Sequence, residues 1–211
     1  MFYFLLFFST FALANNLNYL SENQFSNLKH NLLSPPEIGS LKQKDDEKII
    51  LDYQNSRLTE DCKRASFATP ELLSLYGEPF GPLKNDDLKS WVTKFENLKL
   101  DLKFFIEKIK LEYNRKRPVE YIKNLSPCIS DKGTSSYPSS QATIGYVYEQ
   151  ILIRLFTHKK QKIHNRANQI ANDRILSGIH HPSDIAASKI LAKNLIIELK
   201  KSSKFREDFR Y

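Results

Sequence analysis

Three groups of charged and nucleophilic side chains interrupt an otherwise ordinary 211-residue sequence. Lys110 and Arg117 stand seven positions apart, two turns of a helix, just before Pro118. Arg174 extends the apolar series Ile163, Ala167, Ile170 by four residues, onto a stripe that should face a core. A guanidinium there needs an anionic partner, because an unpaired buried charge is very costly. His180, His181 and Asp184 cluster around Pro182. A His-to-Asp step of four lets the carboxylate reach the imidazole and fix its tautomer, which makes a histidine a good nucleophile or base. Each feature alone has a plainer explanation: a solvated helix face, an Arg snorkelling at a helix end, a structural His–Asp pair. Together they would set three cations near an activated imidazole, which calls for an anionic partner.

The elements that must position these groups read as helices. Asn85 can cap a long helix, with Asp86 and Asp87 in its first turn favouring the dipole. Leu88, Trp91, Val92, Phe95, Leu98, Leu102, Phe105, Ile106 and Ile109 then recur at steps of three and four, and Pro118 ends the run. Thr69-Pro70-Glu71 resembles an N-cap, a first-turn Pro and an acidic residue. The series from Ala142 to Leu155, from Ile163 to Ala171 and from Ile185 to Leu199 predict three further helices, and residues 124–140 read as a loop. Period-two alternation is nowhere sustained. The fold class is therefore all-α, a single compact helical domain. A hydrophobic fraction of 41% with 14 Phe and 10 Tyr excludes a disordered chain. The net charge of +8 favours anionic partners, although the basic stretch His158 to Arg166 lacks interleaved aromatics, so no nucleic-acid partner is expected.

Residues 1–14 read MFYFLLFFSTFALA. The run is too short to span a bilayer and ends in a small-x-small pattern, as a secretory signal does, though it lacks a basic residue near its start. Residues 15–40 are polar and interrupted by Pro35 and Pro36, which predicts an extended lead-in to a domain over 41–211. Export to the periplasm or beyond, with no membrane insertion after cleavage, is the expectation. In that setting the two cysteines, Cys62 and Cys128, favour a disulfide over two buried thiols.

The order and spacing of the charged groups resembles a known signature. Lys110, six residues, Arg117-Pro118; then Pro138-Ser139-Ser140-Gln141; then Arg174, five residues, His180, three residues, Asp184. This is similar to the three-part motif of the phosphatidic acid phosphatase type 2 superfamily, which includes the bacterial class A nonspecific acid phosphatases and the vanadium haloperoxidases. Eight of the eleven specified residues are present. Lys63 to Pro82 and Asn124 to Tyr137 look like the exported class A branch, and Cys62 and Cys128 look like a cysteine pair of some members. The resemblance implies a phosphomonoesterase without a metal cofactor, acting through a phosphohistidine on His180. It implies that Asp184 orients His180, that Lys110, Arg117, Ser139, Ser140 and Arg174 bind phosphate, and that the enzyme is a homo-oligomer acting on small phosphorylated substrates.

Three positions depart from the motif. Ser140 stands for Gly, Asp173 for the Ser beside Arg174, and Gln141 for the His that protonates the leaving oxygen. Asp173 reads as an exposed side chain. Gln141 is the serious departure, because an amide hydrogen-bonds but does not release a proton at useful pH. It predicts selectivity for good leaving groups unless His181 is aimed into the pocket as a substitute acid. It also motivates a second reading, an impaired relative that binds phosphate ligands without efficient turnover. A vanadate-dependent peroxidase is disfavoured, since the chain is short and lacks the extra acid–base His.

Overall fold

The computed structural model describes residues 17–130, 133 and 135–211, so the expected signal segment lies outside the described residues. The described residues form ten α-helices: α1 (Phe25–Leu28), α2 (Leu41–Ser56), α3 (Thr59–Phe67), α4 (Leu72–Tyr76), α5 (Asn85–Lys89), α6 (Val92–Tyr113), α7 (Ser140–Leu155), α8 (Lys160–Leu176), α9 (Pro182–Leu199) and α10 (Ser203–Phe209). The all-α expectation holds. The central element is α7, which buries Ile144, Val147, Tyr148, Ile151 and Leu152 and packs along α8 and α9. Because apolar residues lie on several sides of it, α7 is covered all round rather than showing one face to water. Phe95 from α6 and Phe209 from α10 close the core beside Tyr148, with the Phe95 and Tyr148 rings edge to face at 4.6 Å.

Several local expectations change. Residues 17–40 are not a plain extended lead-in. They contain a 3₁₀ turn (Glu22–Gln24) and α1, and they bury Tyr19, Leu20, Leu28 and Leu32. The buried carboxylate of Asp101 organises this segment, accepting from the backbone N–H groups of Asn18, Tyr19 and Leu20 at 2.8, 2.7 and 3.0 Å. The long helix does not start at Asn85 and run unbroken. Lys84 is the cap position of α5, and the chain turns at Ser90–Trp91 before α6 begins. Asn85 instead accepts from the Glu78 backbone N–H at 3.1 Å. Thr69 is not an N-cap either: Glu71 precedes α4, and the Thr69 N–H donates to the Ser74 hydroxyl at 2.8 Å.

Cys62 and Cys128 form a disulfide. It fastens α3 to the loop before α7, and the Cys128 N–H donates to the Ser177 carbonyl at 3.1 Å. Gly178 then reverses the chain between α8 and α9 at φ +79°, a conformation that L side chains rarely adopt. Among the described residues no helix is long and apolar enough to cross a membrane.

Candidate active site

One cavity of about 230 Å³ collects most of the singled-out residues. Its lining includes Lys110, Arg117, Ser140, Gln141, Arg174 and His180, with Glu107, Pro70 and Gly133. They come from five places: Pro70 ahead of α4, the last turns of α6, the loop that follows it, the first turn of α7, and the end of α8 with the Gly178 turn. The seven-residue step from Lys110 to Arg117 is not helical throughout. Asn114 ends α6 with a left-handed φ of 41°, and Arg117 stands in extended conformation before Pro118. The two cations meet the same cavity because the chain bends, not because they share a helix face. Lys110, Arg117 and Arg174 are all buried. The Lys110 ammonium donates to the Ser135 carbonyl at 2.5 Å, and Arg117 donates through Nη1 to the Ile179 carbonyl at 3.0 Å and through Nε to Gly133 at 3.3 Å. Backbone carbonyls thus hold Lys110 and Arg117 in place at the cavity wall.

His180 is buried, and its backbone N–H donates to the Arg174 carbonyl at 3.2 Å, which ties the residue to the end of α8. Arg117 Nη1 lies 3.3 Å from His180 Nε2. A guanidinium only donates, so Nε2 is the acceptor and carries the lone pair. The ring proton is then on Nδ1, where Asp184 Oδ2 accepts it at 3.3 Å. Burial pushes the His180 imidazolium down to about 3, against the pull of Asp184 and helped by the charges of Arg117 and Lys110. The imidazole is therefore neutral across ordinary pH, with a nucleophilic nitrogen toward the cationic side chains.

Asp184 is fully buried and does not line the cavity; it stands behind His180. Burial works against its ionised form. Hydrogen bonds from His180 and His181 and the charge of Arg115 outweigh that and hold its carboxyl well below the usual carboxylate range. Oδ2 accepts from the His181 backbone N–H at 2.8 Å and Nδ1 at 3.0 Å, while Oδ1 takes Arg115 Nη1 at 2.5 Å. Arg115 reaches further, donating to the Ser183 hydroxyl at 2.7 Å, to Gln43 at 2.5 Å and to Asp46 at 3.1 Å. Sequence reasoning does not reach this layer. Arg115 lies in the run Asn114-Arg-Lys-Arg117, which reads as solvated charge, and its partners sit some seventy positions away in chain order.

Other expectations separate. Ser140 lines the cavity, but Ser139 does not: it is the N-cap of α7, its hydroxyl accepting from the Ala142 N–H at 3.4 Å. Gln141 lines the cavity and its amide donates to the Ala68 carbonyl. His181 is fully buried outside the cavity, its Nε2 2.6 Å from the Tyr121 hydroxyl. With Nδ1 facing Asp184 and Nε2 facing Tyr121, His181 is held as a structural link. Asp173 is not exposed. It is buried and its Oδ1 meets Arg64 Nη2 at 2.6 Å, joining α8 to α3 beside the disulfide.

No protein-family model matches the chain. A non-specific acid phosphatase of Providencia stuartii is 25% identical over 92% of this chain and 83% of its own length. An acid phosphatase of Zymomonas mobilis subsp. mobilis is 32% identical over 49% of this chain and 40% of its own length. Among solved structures, a transmembrane phosphatidylglycerolphosphate phosphatase of the PAP2 type from Bacillus subtilis superposes with a TM-score of 0.54 over 84% of this chain and 90% of that one, at 14% identity. A bacterial vanadium-dependent iodoperoxidase superposes with a TM-score of 0.61 over 83% of this chain and 53% of that one, also at 14% identity. The chain is thus similar in sequence to bacterial acid phosphatases and shares its helical architecture with a PAP2-type phosphatase and a vanadium-dependent peroxidase. The two structural likenesses concern the helical fold alone.

Proposed function

We propose that this protein is a member of the phosphatidic acid phosphatase type 2 superfamily and an exported, metal-independent phosphomonoesterase of the acid phosphatase kind, acting through a phosphohistidine on His180. The observation that carries the reading is the neutral His180, its Nε2 lone pair fixed by Asp184 on the far side of the ring and set among Lys110, Arg117 and Arg174. Three cations suit the charge that spreads over the equatorial oxygens of a transferring phosphoryl group, and Arg adds a planar fork for two of them. Ser140 and the first backbone N–H groups of α7 offer further donors at a helix start. In the first half-reaction His180 Nε2 attacks phosphorus and the ester oxygen departs. In the second, water attacks phosphorus, the P–N bond breaks and phosphate leaves. Asp184 stabilises the charge that builds on the ring. The disulfide supports export, since such bridges persist in oxidising compartments.

The purified protein should hydrolyse 4-nitrophenyl phosphate and be inhibited by vanadate, which adopts the trigonal bipyramidal geometry of the group in transfer. His180→Ala should abolish turnover and keep phosphate binding, whereas Arg174→Ala should lose both. Near-parental turnover in His180→Ala would overturn the assignment. Phosphate binding by the parent without turnover on any phosphomonoester would favour the ligand-binding relative that Gln141 suggests.

A further inference from the structure

His181 is enclosed by Asp184 and Tyr121, and Gln141 has no proton to give, so neither supplies the leaving oxygen with a proton. Among the described residues that line the cavity, Glu107 is the one carboxylic acid. It lies one helical turn before Lys110 on α6 and is exposed, with access to water as well as to the pocket. A carboxyl group at that position can give a proton to a departing oxygen and, once ionised, take one from water.

We propose that Glu107 is the general acid of this site, filling the role that Gln141 cannot. The assignment rests on the phosphomonoesterase reading of the same cavity. As His180 Nε2 bonds to phosphorus, the P–O bond to the alcohol breaks, and the departing oxygen takes the Glu107 proton to leave as a neutral alcohol. Glu107 is then a carboxylate. In the second half-reaction it removes a proton from the attacking water as the P–N bond breaks, which releases phosphate and restores the carboxylic acid. The exchange is closed within the site, and it extends the substrate range to alkyl phosphates, whose alkoxides are too basic to leave unprotonated.

The test compares Glu107→Gln with the parent on 4-nitrophenyl phosphate and on glycerol 2-phosphate. Because Glu107 is exposed, the substitution leaves the core untouched, and Gln keeps its size. General acid catalysis contributes a factor of about 10²–10⁴. Glu107→Gln should lose about that factor in kcat/KM on glycerol 2-phosphate and less than about tenfold on the aryl ester, which needs no acid. The phosphoenzyme should accumulate on the aryl ester, since its hydrolysis loses the base. Adding Gln141→His to Glu107→Gln should recover the alkyl ester, and Glu107→Asp should fall between parent and Gln. Equal losses on the two esters, no loss, or a gain on both would overturn the role of Glu107 while leaving the phosphatase reading intact. An inactive parent on both esters would overturn both.

Discussion

Replacing Arg115 by Met removes a cation that touches two carboxylates at once. Asp184 is fully buried and Asp46 is 5% exposed, with Arg115 Nη1 at 2.5 Å from the first and Nη2 at 3.1 Å from the second. Asp184 keeps its contacts to His180 and His181, and Asp46 keeps the Ser183 backbone N–H at 3.2 Å, but among the described residues no other Lys or Arg pairs with either. Removing one partner of a buried ion pair typically costs about 3–5 kcal/mol, because the other charge stays buried. The lost hydrogen bonds to Ser183 and Gln43 lie within the same range of effect. Urea denaturation of the parent and of Arg115→Met gives the difference directly. Adding Asp46→Asn to Arg115→Met should return more than about 1 kcal/mol, because one stranded charge is neutralised and the effects of contacting residues do not add. A loss below about 1 kcal/mol in Arg115→Met, or an additive double variant, would refute the claim that Arg115 compensates these carboxylates.

Replacing Cys62 and Cys128 together by Ser should destabilise the chain by about 4 kcal/mol on the chain-entropy model, given the 66-residue separation, as read by thermal or urea unfolding under non-reducing conditions. His180 gives a signed pH effect. Its imidazolium is pushed down from 6.5 to about 3 by burial, so the unfolded chain takes up a proton in this window that the folded chain refuses. Its contribution is fully present above the unfolded value and is lost as pH falls through the window, with a limiting slope of about 1.4 kcal/mol per pH unit. His180→Gln should therefore show a shallower loss of stability between pH 6 and 4 than the parent. Parallel curves would contradict the burial of a neutral imidazole.

The parts of the site that lie close together in sequence were legible there. Arg174, His180 and Asp184 are joined by a helix end and one turn, so spacing alone brings them together, and the Gly178 conformation completes the turn. The helices α7, α8 and α9 were legible because their apolar residues recur at helical steps over many turns. The break at Ser90–Trp91 was hidden because apolar periodicity continues across it. The N-terminal segment looked polar because its order comes from Asp101, a buried acceptor on another helix. The layer behind the nucleophile was equally hidden. Arg115, Asp46, Gln43 and Tyr121 have ordinary surface character one by one, and only tertiary packing turns them into a buried network. Asp173 shows the same limit: its partner Arg64 comes from a different helix, and no local pattern announces the pair.

The central claim is that His180 takes the phosphoryl group. The direct measurement is rapid quenching of the parent with a ³²P-labelled aryl phosphate, followed by mapping of the labelled peptide. A phosphohistidine is stable in base and lost in acid, which separates it from a phosphoserine at Ser140. The label should be base-stable, should map to the peptide containing His180 and should be absent from His180→Ala. A label on Ser140, or turnover by His180→Ala at the parental rate, would contradict it.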